Sequence, residues 1–271
     1  MTGHLTGKVA LITGSARGLG RAVAVRLAQD GADVVAVDIA GPLPSVAYDS
    51  ATPADLAETV RLVEKEDRRV IAAQVDTRDL PGLRSAVDGA VAQLGRLDVV
   101  VANAGICVPA AWNEVTPTVW EDTLSTNVTG TWNTVMVGAP HLVEAGGGSI
   151  VLVSSAAGIK VQPFMVPYTT SKFAVRGMAK AFAAELAQHN IRVNSLHPTG
   201  MATPLGTGDM HAVLRKAMAT DPRLAPMFSN LLPVAITQPE DIAETVRFLA
   251  SDESRYITAH EVAPDAGVTE F

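Results

Sequence analysis

The sequence predicts a doubly wound α/β fold, a parallel sheet with helices on both faces, and three observations carry that expectation. Short apolar runs alternate with longer amphipathic ones along the chain, the rhythm of repeated βαβ units. Of 271 residues, 48% are hydrophobic but only 4% aromatic. A core built mainly from Ala, Val and Leu suits strands buried on both faces. The third observation is a glycine-rich turn, Thr13-Gly14-Ser15-Ala16-Arg17-Gly18-Leu19-Gly20, that closes the first apolar run and opens the first amphipathic one.

Strands are expected, in order, at Val9–Thr13, Asp33–Asp38, Val70–Val75, Val99–Asn103, Ser149–Ser154 and Arg192–His197, with a short one near Glu261–Ala263. Each is a short run rich in β-branched or small apolar residues. Helical periodicity is clearest over Leu19–Gln29, Asp55–Asp67, Leu83–Leu94, Tyr168–His189 and Asp241–Leu249. Two helix starts match the [ST]-x-x-[DE] capping pattern: Thr52-Pro53-Ala54-Asp55 and Thr237-Gln238-Pro239-Glu240. In both, proline sits where the first helical turn tolerates it. No repeat or linker divides the chain, so residues 1–271 are read as one domain. Crossovers are right-handed, and a ligand is expected at the carboxyl ends of the strands.

Two stretches break the rhythm. Residues 39–52 hold Pro42 and Pro44 and exceed the usual connection of roughly 2–6 residues. Residues 200–238 are rich in Pro, Gly and Met. Met201, Met210, Met218, Met227 and Phe228 suggest an apolar, adaptable lid on the substrate side. The same residues also suit a subunit interface or the core.

Charge and cysteine usage exclude several classes. Lys+Arg of 21 against Asp+Glu of 28 gives a net charge of −7, and no basic run offers a nucleic-acid footprint. The single cysteine, Cys107, rules out an internal disulfide and fits a reducing compartment. The apolar run Val9–Ile12 is too short for a membrane span or a signal-peptide core. A soluble, cytoplasmic protein with no metal site is the expectation.

The glycine turn carries the first chemistry. Gly14, Gly18 and Gly20 permit a tight turn and close approach of backbone to a pyrophosphate, and the next helix presents free N–H groups. Asp38 ends the following strand, about 20 residues further on, where a carboxylate accepts from ribose hydroxyls. That carboxylate repels a 2′-phosphate and favours NAD over NADP. Arg17 pulls the other way, since an arginine there can grip the phosphate. The two are compatible if Arg17 points to solvent.

The second constellation is Tyr168-Thr169-Thr170-Ser171-Lys172. Residues four apart share a helix face, so phenol and ammonium can serve one site. A phenol with an ordinary pKa of about 10 is a poor base near neutrality. A nearby ammonium and a cationic nicotinamide ring stabilise the phenolate. Ser154-Ser155 end an apolar strand, Asn103-Ala104-Gly105 end its neighbour, and Asn127 lies in the helix that follows. A buried helical asparagine needs a partner for its amide.

In order and spacing these motifs resemble the short-chain dehydrogenase/reductase family, over essentially the whole chain. The resemblance adds Asp76 after the third strand and Pro198-Thr199-Gly200 followed by Thr203. It implies a Rossmann-type domain in which Tyr168 is the acid/base and Lys172 holds ribose hydroxyls while tuning the tyrosine. Ser155, 13 positions before Tyr168, positions the substrate, leaving Ser154 to strand-end packing, and Asn127 anchors a water in a proton relay. Asp76 touches the adenine, Asn103 the adenosine side, and the segment after Pro198 the nicotinamide carboxamide. Leu19, Ile39, Thr77, Ala104, Gly105 and Met201 complete the implied cofactor contacts. Thr199 departs from the family's usual Pro-Gly and can shift how the carboxamide is held.

Within the family, Asp38-Ile39-Ala40-Gly41-Pro42, residues 51–60 and His197-Pro198-Thr199-Gly200 resemble the mycofactocin-coupled branch, which includes carveol dehydrogenases. That implies tightly held NAD, a terpenoid-like or other hydrophobic secondary alcohol or its ketone, and an external redox carrier. A homotetramer is the family's common state. Two rivals are an NAD-binding sensor or scaffold of the same fold without turnover and a nucleotide-sugar epimerase. Loss of Tyr168 or Lys172 would favour the first, but both are present. An epimerase has a different glycine spacing and a larger substrate domain.

Overall fold

The computed structural model describes residues 3–46, 48–206, 212, 214, 215, 218, 219 and 221–270, so Met210 lies outside the described residues. Strands β1 (Val9–Thr13), β2 (Asp33–Asp38), β3 (Val70–Gln74), β4 (Val99–Ala102), β5 (Gly148–Val153), β6 (Ile191–Leu196) and β7 (Glu261–Val262) form one sheet. Their order is β3-β2-β1-β4-β5-β6-β7 and every pairing is parallel.

Alternation along each strand divides the core into two layers. Ala10, Ile12, Val34, Ala36 and Val151 face one side, where α1 (Gly18–Gln29), α2 (Pro53–Lys65) and α7 (Pro239–Ala250) cover them. Leu11, Val35, Val37, Val100 and Ile150 face the other, under α3 (Leu80–Leu94), α5 (Gly130–Glu144) and α6 (Val166–Leu186). Burial on both faces is why the strands read as continuous apolar runs. Each fully buried Val or Leu contributes about 1.5–3 kcal/mol relative to exposure.

Several boundaries differ from the sequence expectation for local reasons. Helix α3 starts at Leu80, three residues early, because the Asp79 carboxylate accepts from the Gly82 N–H at 3.1 Å. Helix α6 starts at Val166, which puts Tyr168 in its first turn. The Thr52 box forms as expected, with the Asp55 carboxylate accepting from the Thr52 N–H at 2.8 Å. The Thr237 box does not. Gln238 is the cap and its N–H meets Asp241 at 3.2 Å, because Thr237 is occupied in a bridge to Met201.

Between β4 and β5 stand α4 (Pro117–Leu124) and α5, joined without a break by a π-helical turn, Ser125–Thr129. That wide turn contains Asn127. Among the described residues no helix is long and apolar enough to cross a membrane.

Candidate active site

Strands β1 and β4 lie side by side, yet the chain runs from β1 towards β3 on one side and from β4 towards β7 on the other. A crevice opens at their carboxyl ends, the switch point of a doubly wound sheet. The cleft there is lined by Gly14, Arg17 and Leu19 after β1, by Asp38 and Ile39 after β2, and by Asp76 and Thr77 after β3. Asn103, Ala104 and Gly105 follow from β4, Ser155 from β5, and Pro198, Gly200, Met201 and Thr203 from β6; Tyr168 and Lys172 enter from α6.

One end is built to receive a phosphate. Gly14 has φ +68, and a side chain there would meet the Ala104 backbone at 2.8 Å. A side chain at Gly20 would lie 2.0 Å from the Gly14 carbonyl oxygen, so α1 packs directly on the turn. Asn103 clamps the turn, its amide donating to the Thr13 carbonyl at 2.9 Å and to the Gly14 carbonyl at 3.2 Å. Thr52, Asp79 and Thr116 cap α2, α3 and α4. No side chain caps α1, and its first turn holds no acidic residue. Its N–H groups and positive dipole end, at Gly18 and Leu19, are left for an anion from outside the chain. A dinucleotide pyrophosphate fits this end.

Asp38 is buried at the end of β2, held by the Ala16 N–H at 2.9 Å and the Ala40 N–H at 2.8 Å. Among the described residues no cation pairs with it, so its charge faces the cleft. Asp76 differs, because Arg78 binds its carboxylate at 2.7 Å and also reaches Asp122 at 3.3 Å. Arg17 does not simply point to solvent, since its guanidinium carbon lies 6.0 Å from the centre of the Tyr48 ring. Tyr48 comes from the 39–52 insertion and lines the cleft with Cys107, near enough to feel it electrostatically. Burial raises its hydroxyl to about 12. Tyr48 thus extends the insertion over the cleft, from Arg17 toward the end where Cys107 lies.

At the reacting end, Tyr168 and Lys172 are both buried on one face of α6. Burial drives the phenol above its ordinary value, while a hydrogen bond with the Ser155 side chain works against that rise. Burial pulls the Lys172 ammonium down to about 8. The ammonium donates to the Val153 carbonyl at 2.8 Å. The two adjacent serines separate cleanly: Ser154 donates to the Lys172 carbonyl at 2.8 Å, whereas Ser155 meets the phenol.

Behind Ser155 stands the fully buried His197, which the sequence marks only as part of the His197–Gly200 motif and to which it gives no role. Its Nδ1 faces the Ser155 carbonyl at 2.8 Å and its Nε2 the Ser195 hydroxyl at 2.8 Å. A carbonyl only accepts, so Nδ1 carries the proton and Nε2 accepts from Ser195. Burial lowers the pKa of this ring and keeps it neutral.

Asn127 does not reach the cleft. Its amide donates to the Ile106 carbonyl and to Ser171 Oγ, both at 2.9 Å, and its oxygen accepts from the Ile106 N–H at 2.8 Å. With both amide hydrogens used, the side chain pins the loop after β4. Cys107 begins an apolar wall with Ala157, Met165 and Tyr168, against which Leu205, Leu214 and Phe228 pack. Of the lid methionines, Met201 lines the cleft, whereas Met218 and Met227 do not. Thr199 ties its loop to the lid by donating to Asn230 at 3.0 Å. Among the described residues no His, Cys, Asp or Glu group has metal-binding geometry.

The family model for short chain dehydrogenase matches residues 8–212. A (-)-trans-carveol dehydrogenase of Rhodococcus erythropolis is 41% identical, over 98% of this chain and 99% of its own. A short chain dehydrogenase from Mycobacterium paratuberculosis, solved bound to NAD, superposes with a TM-score of 0.97 at 58% identity, covering 99% of this chain and 100% of that one. Carveol dehydrogenase from Mycobacterium avium, solved in complex with NAD, does so at 0.93 and 46% identity, with both chains fully covered. The chain belongs to the short-chain dehydrogenase family.

Proposed function

We propose that this protein is an NAD-dependent oxidoreductase interconverting a hydrophobic, terpenoid-like secondary alcohol of the carveol type and its ketone. The observation that carries the reading is the meeting of Tyr168, Ser155 and Lys172 at the closed end of a cleft whose other end offers Asp38 and an uncapped helix. NAD, when bound, supplies the acceptor for the hydride lost from the carbinol carbon. Ser155 holds the substrate oxygen, and Tyr168 takes the hydroxyl proton or returns it in the reverse direction. Lys172 anchors ribose hydroxyls and favours the phenolate. Asp38 accepts from the adenosine ribose and repels a 2′-phosphate.

The wall of Cys107, Met165, Leu205 and Phe228 suits an apolar substrate. Tyr48, extending over the cleft, supports a cofactor that stays in place and is reoxidised there by an external carrier of the mycofactocin type. Trp120, Trp132 and Phe173, on α4, α5 and α6, each leave about two-fifths of their surface exposed. Such apolar faces support a homotetramer.

A panel of hydrophobic secondary alcohols tests the reading, followed by reduced-nicotinamide absorbance and by an artificial electron acceptor. Turnover of apolar alcohols over short polar ones is the expected result. A protein that binds NAD but reduces neither it nor the acceptor with any alcohol is a sensor or scaffold.

A further inference from the structure

Gln162 lines the same cleft, and the chemistry above gives it no task. It sits on the loop between β5 and α6, after Ser155 and before Tyr168, and the Thr169 hydroxyl donates to its carbonyl at 3.3 Å. That places it at the first turn of α6, where the phenol is. The same cleft carries the apolar wall of Cys107, Met165, Leu205 and Phe228.

Its side-chain amide has no hydrogen-bond partner among the described residues, although the residue is half-buried. The other polar side chains of this loop and its neighbour are occupied: Ser154 by the Lys172 carbonyl, Ser155 by the Ala157 N–H and Thr199 by Asn230. Leucine in its place would present neither donor nor acceptor to the cleft.

Its backbone is also fixed. Pro163 follows directly, and Phe164 takes a left-handed conformation, φ +64, that a bulky side chain rarely adopts. The Ala110 N–H donates to the Phe164 carbonyl at 2.9 Å, tying this turn to the loop after β4. A strained, pinned turn thus presents at a largely apolar cleft an amide that no described residue engages, the pattern of an orienting group in a ligand site.

We infer that Gln162 is a specificity determinant that hydrogen-bonds a second oxygen of the substrate, remote from the carbon that reacts at Tyr168. The substrate class is then an apolar, ring-sized alcohol or ketone with two oxygen functions. An amide both donates and accepts, so the second function is a hydroxyl or a carbonyl. The inference rests on the oxidoreductase reading for its chemistry but not for its test.

That test pairs cyclohexane-1,4-dione with 4-methylcyclohexanone, which differ in the remote group. Their affinities are measured by calorimetry on NAD-loaded protein, where neither ketone has a hydride to give. The dione is expected to bind about tenfold tighter, near what one well-made hydrogen bond supplies. Gln162→Leu is expected to weaken the dione, strengthen the methyl compound and so erase the difference. Gln162→Ala gives a second reading, and melting temperature with NAD verifies that both variants fold.

Equal or undetectable affinities in the unmodified protein overturn the inference, as does a preference that persists in both variants. Ketone reduction driven by NADH reports separately on the chemistry. A Gln162-dependent preference without any turnover leaves the inference standing and removes the oxidoreductase reading instead.

Discussion

Lys172 holds its ammonium nitrogen 5.5 Å from the centre of the Tyr168 ring, with both side chains buried. Burial acts on them in opposite senses. It raises the phenol, which therefore keeps its proton through neutrality, and lowers the ammonium to about 8, so its charge fades just above neutrality. On the proposed mechanism, ketone reduction needs a protonated phenol and gains from a charged lysine. Its kcat/KM is expected to fall as pH rises through about 8. Lys172→Arg keeps the charge and should move that limb to higher pH, at a lower maximum. A pH–rate profile of NADH-driven reduction checks both.

Tyr168→Phe removes the proton path but leaves Lys172 and the phosphate end intact. Single-turnover hydride transfer should slow by about 10²–10⁴-fold, the usual worth of a general acid/base. NAD affinity, measured by calorimetry, should change little. A near-normal transfer rate would end the assignment of Tyr168 as acid/base.

At Asp38, charge and hydrogen bonding can be separated. Asp38→Ala removes the charge and strands the N–H groups of Ala16 and Ala40, each worth about 1–3 kcal/mol when left unpaired. It should relax discrimination against NADP and lower the melting temperature together. Asp38→Asn keeps an acceptor and should relax discrimination with less loss of stability. Equal affinities for NAD and NADP in the unmodified protein would move the selection to Arg17.

His197 gives stability a pH dependence of known sign. The unfolded chain binds a proton near pH 6.5, whereas burial lowers the folded pKa. Its neutral, doubly bonded state is fully available above pH 6.5 and is penalised as pH falls from there towards the folded pKa. Urea midpoints should drop on acidification through this window. His197→Asn, which can still donate to the Ser155 carbonyl, should flatten that dependence; an unchanged slope would place its origin elsewhere.

NAD is expected to remain with the protein through purification, since the insertion carrying Tyr48 extends over the cleft toward Cys107. A covered ligand is retained mainly through a slow off-rate. Heat-denaturing freshly purified protein and quantifying the released nucleotide checks this. Negligible NAD, together with repeated turnover on added NAD, would mark an ordinary exchanging dehydrogenase.

The parts legible from sequence are those governed by nearest neighbours. β1 and β2 were readable to the residue because every position but the first of β2 is buried. The glycine turn and the Tyr168–Lys172 spacing announce themselves locally. The Thr237 box misled because a tertiary bridge to Met201 outcompeted a local cap. Asn127 was legible as a buried amide in need of a partner, but that its partner is Ile106, 21 positions away, was not. Nothing local gives a role to His197 or Gln162, whose significance lies in which strand or loop end faces them. The insertion at residues 39–52 was legible by its length, but where Tyr48 lies depends on how that insertion folds back.

The π-helical turn at Ser125–Thr129 makes the segment from Pro117 to Glu144 a helix carrying one surplus residue. Deleting a single residue there should restore ordinary periodicity. Every side chain beyond the cut would then be rotated by about 100° relative to those before it, and Asn127 would lose its register with Ile106. The deletion variant is thus expected to gain helical regularity while the loop after β4 goes slack. At this turn, local comfort of the backbone and fidelity of the catalytic wall are opposed, and the fold has kept the wall.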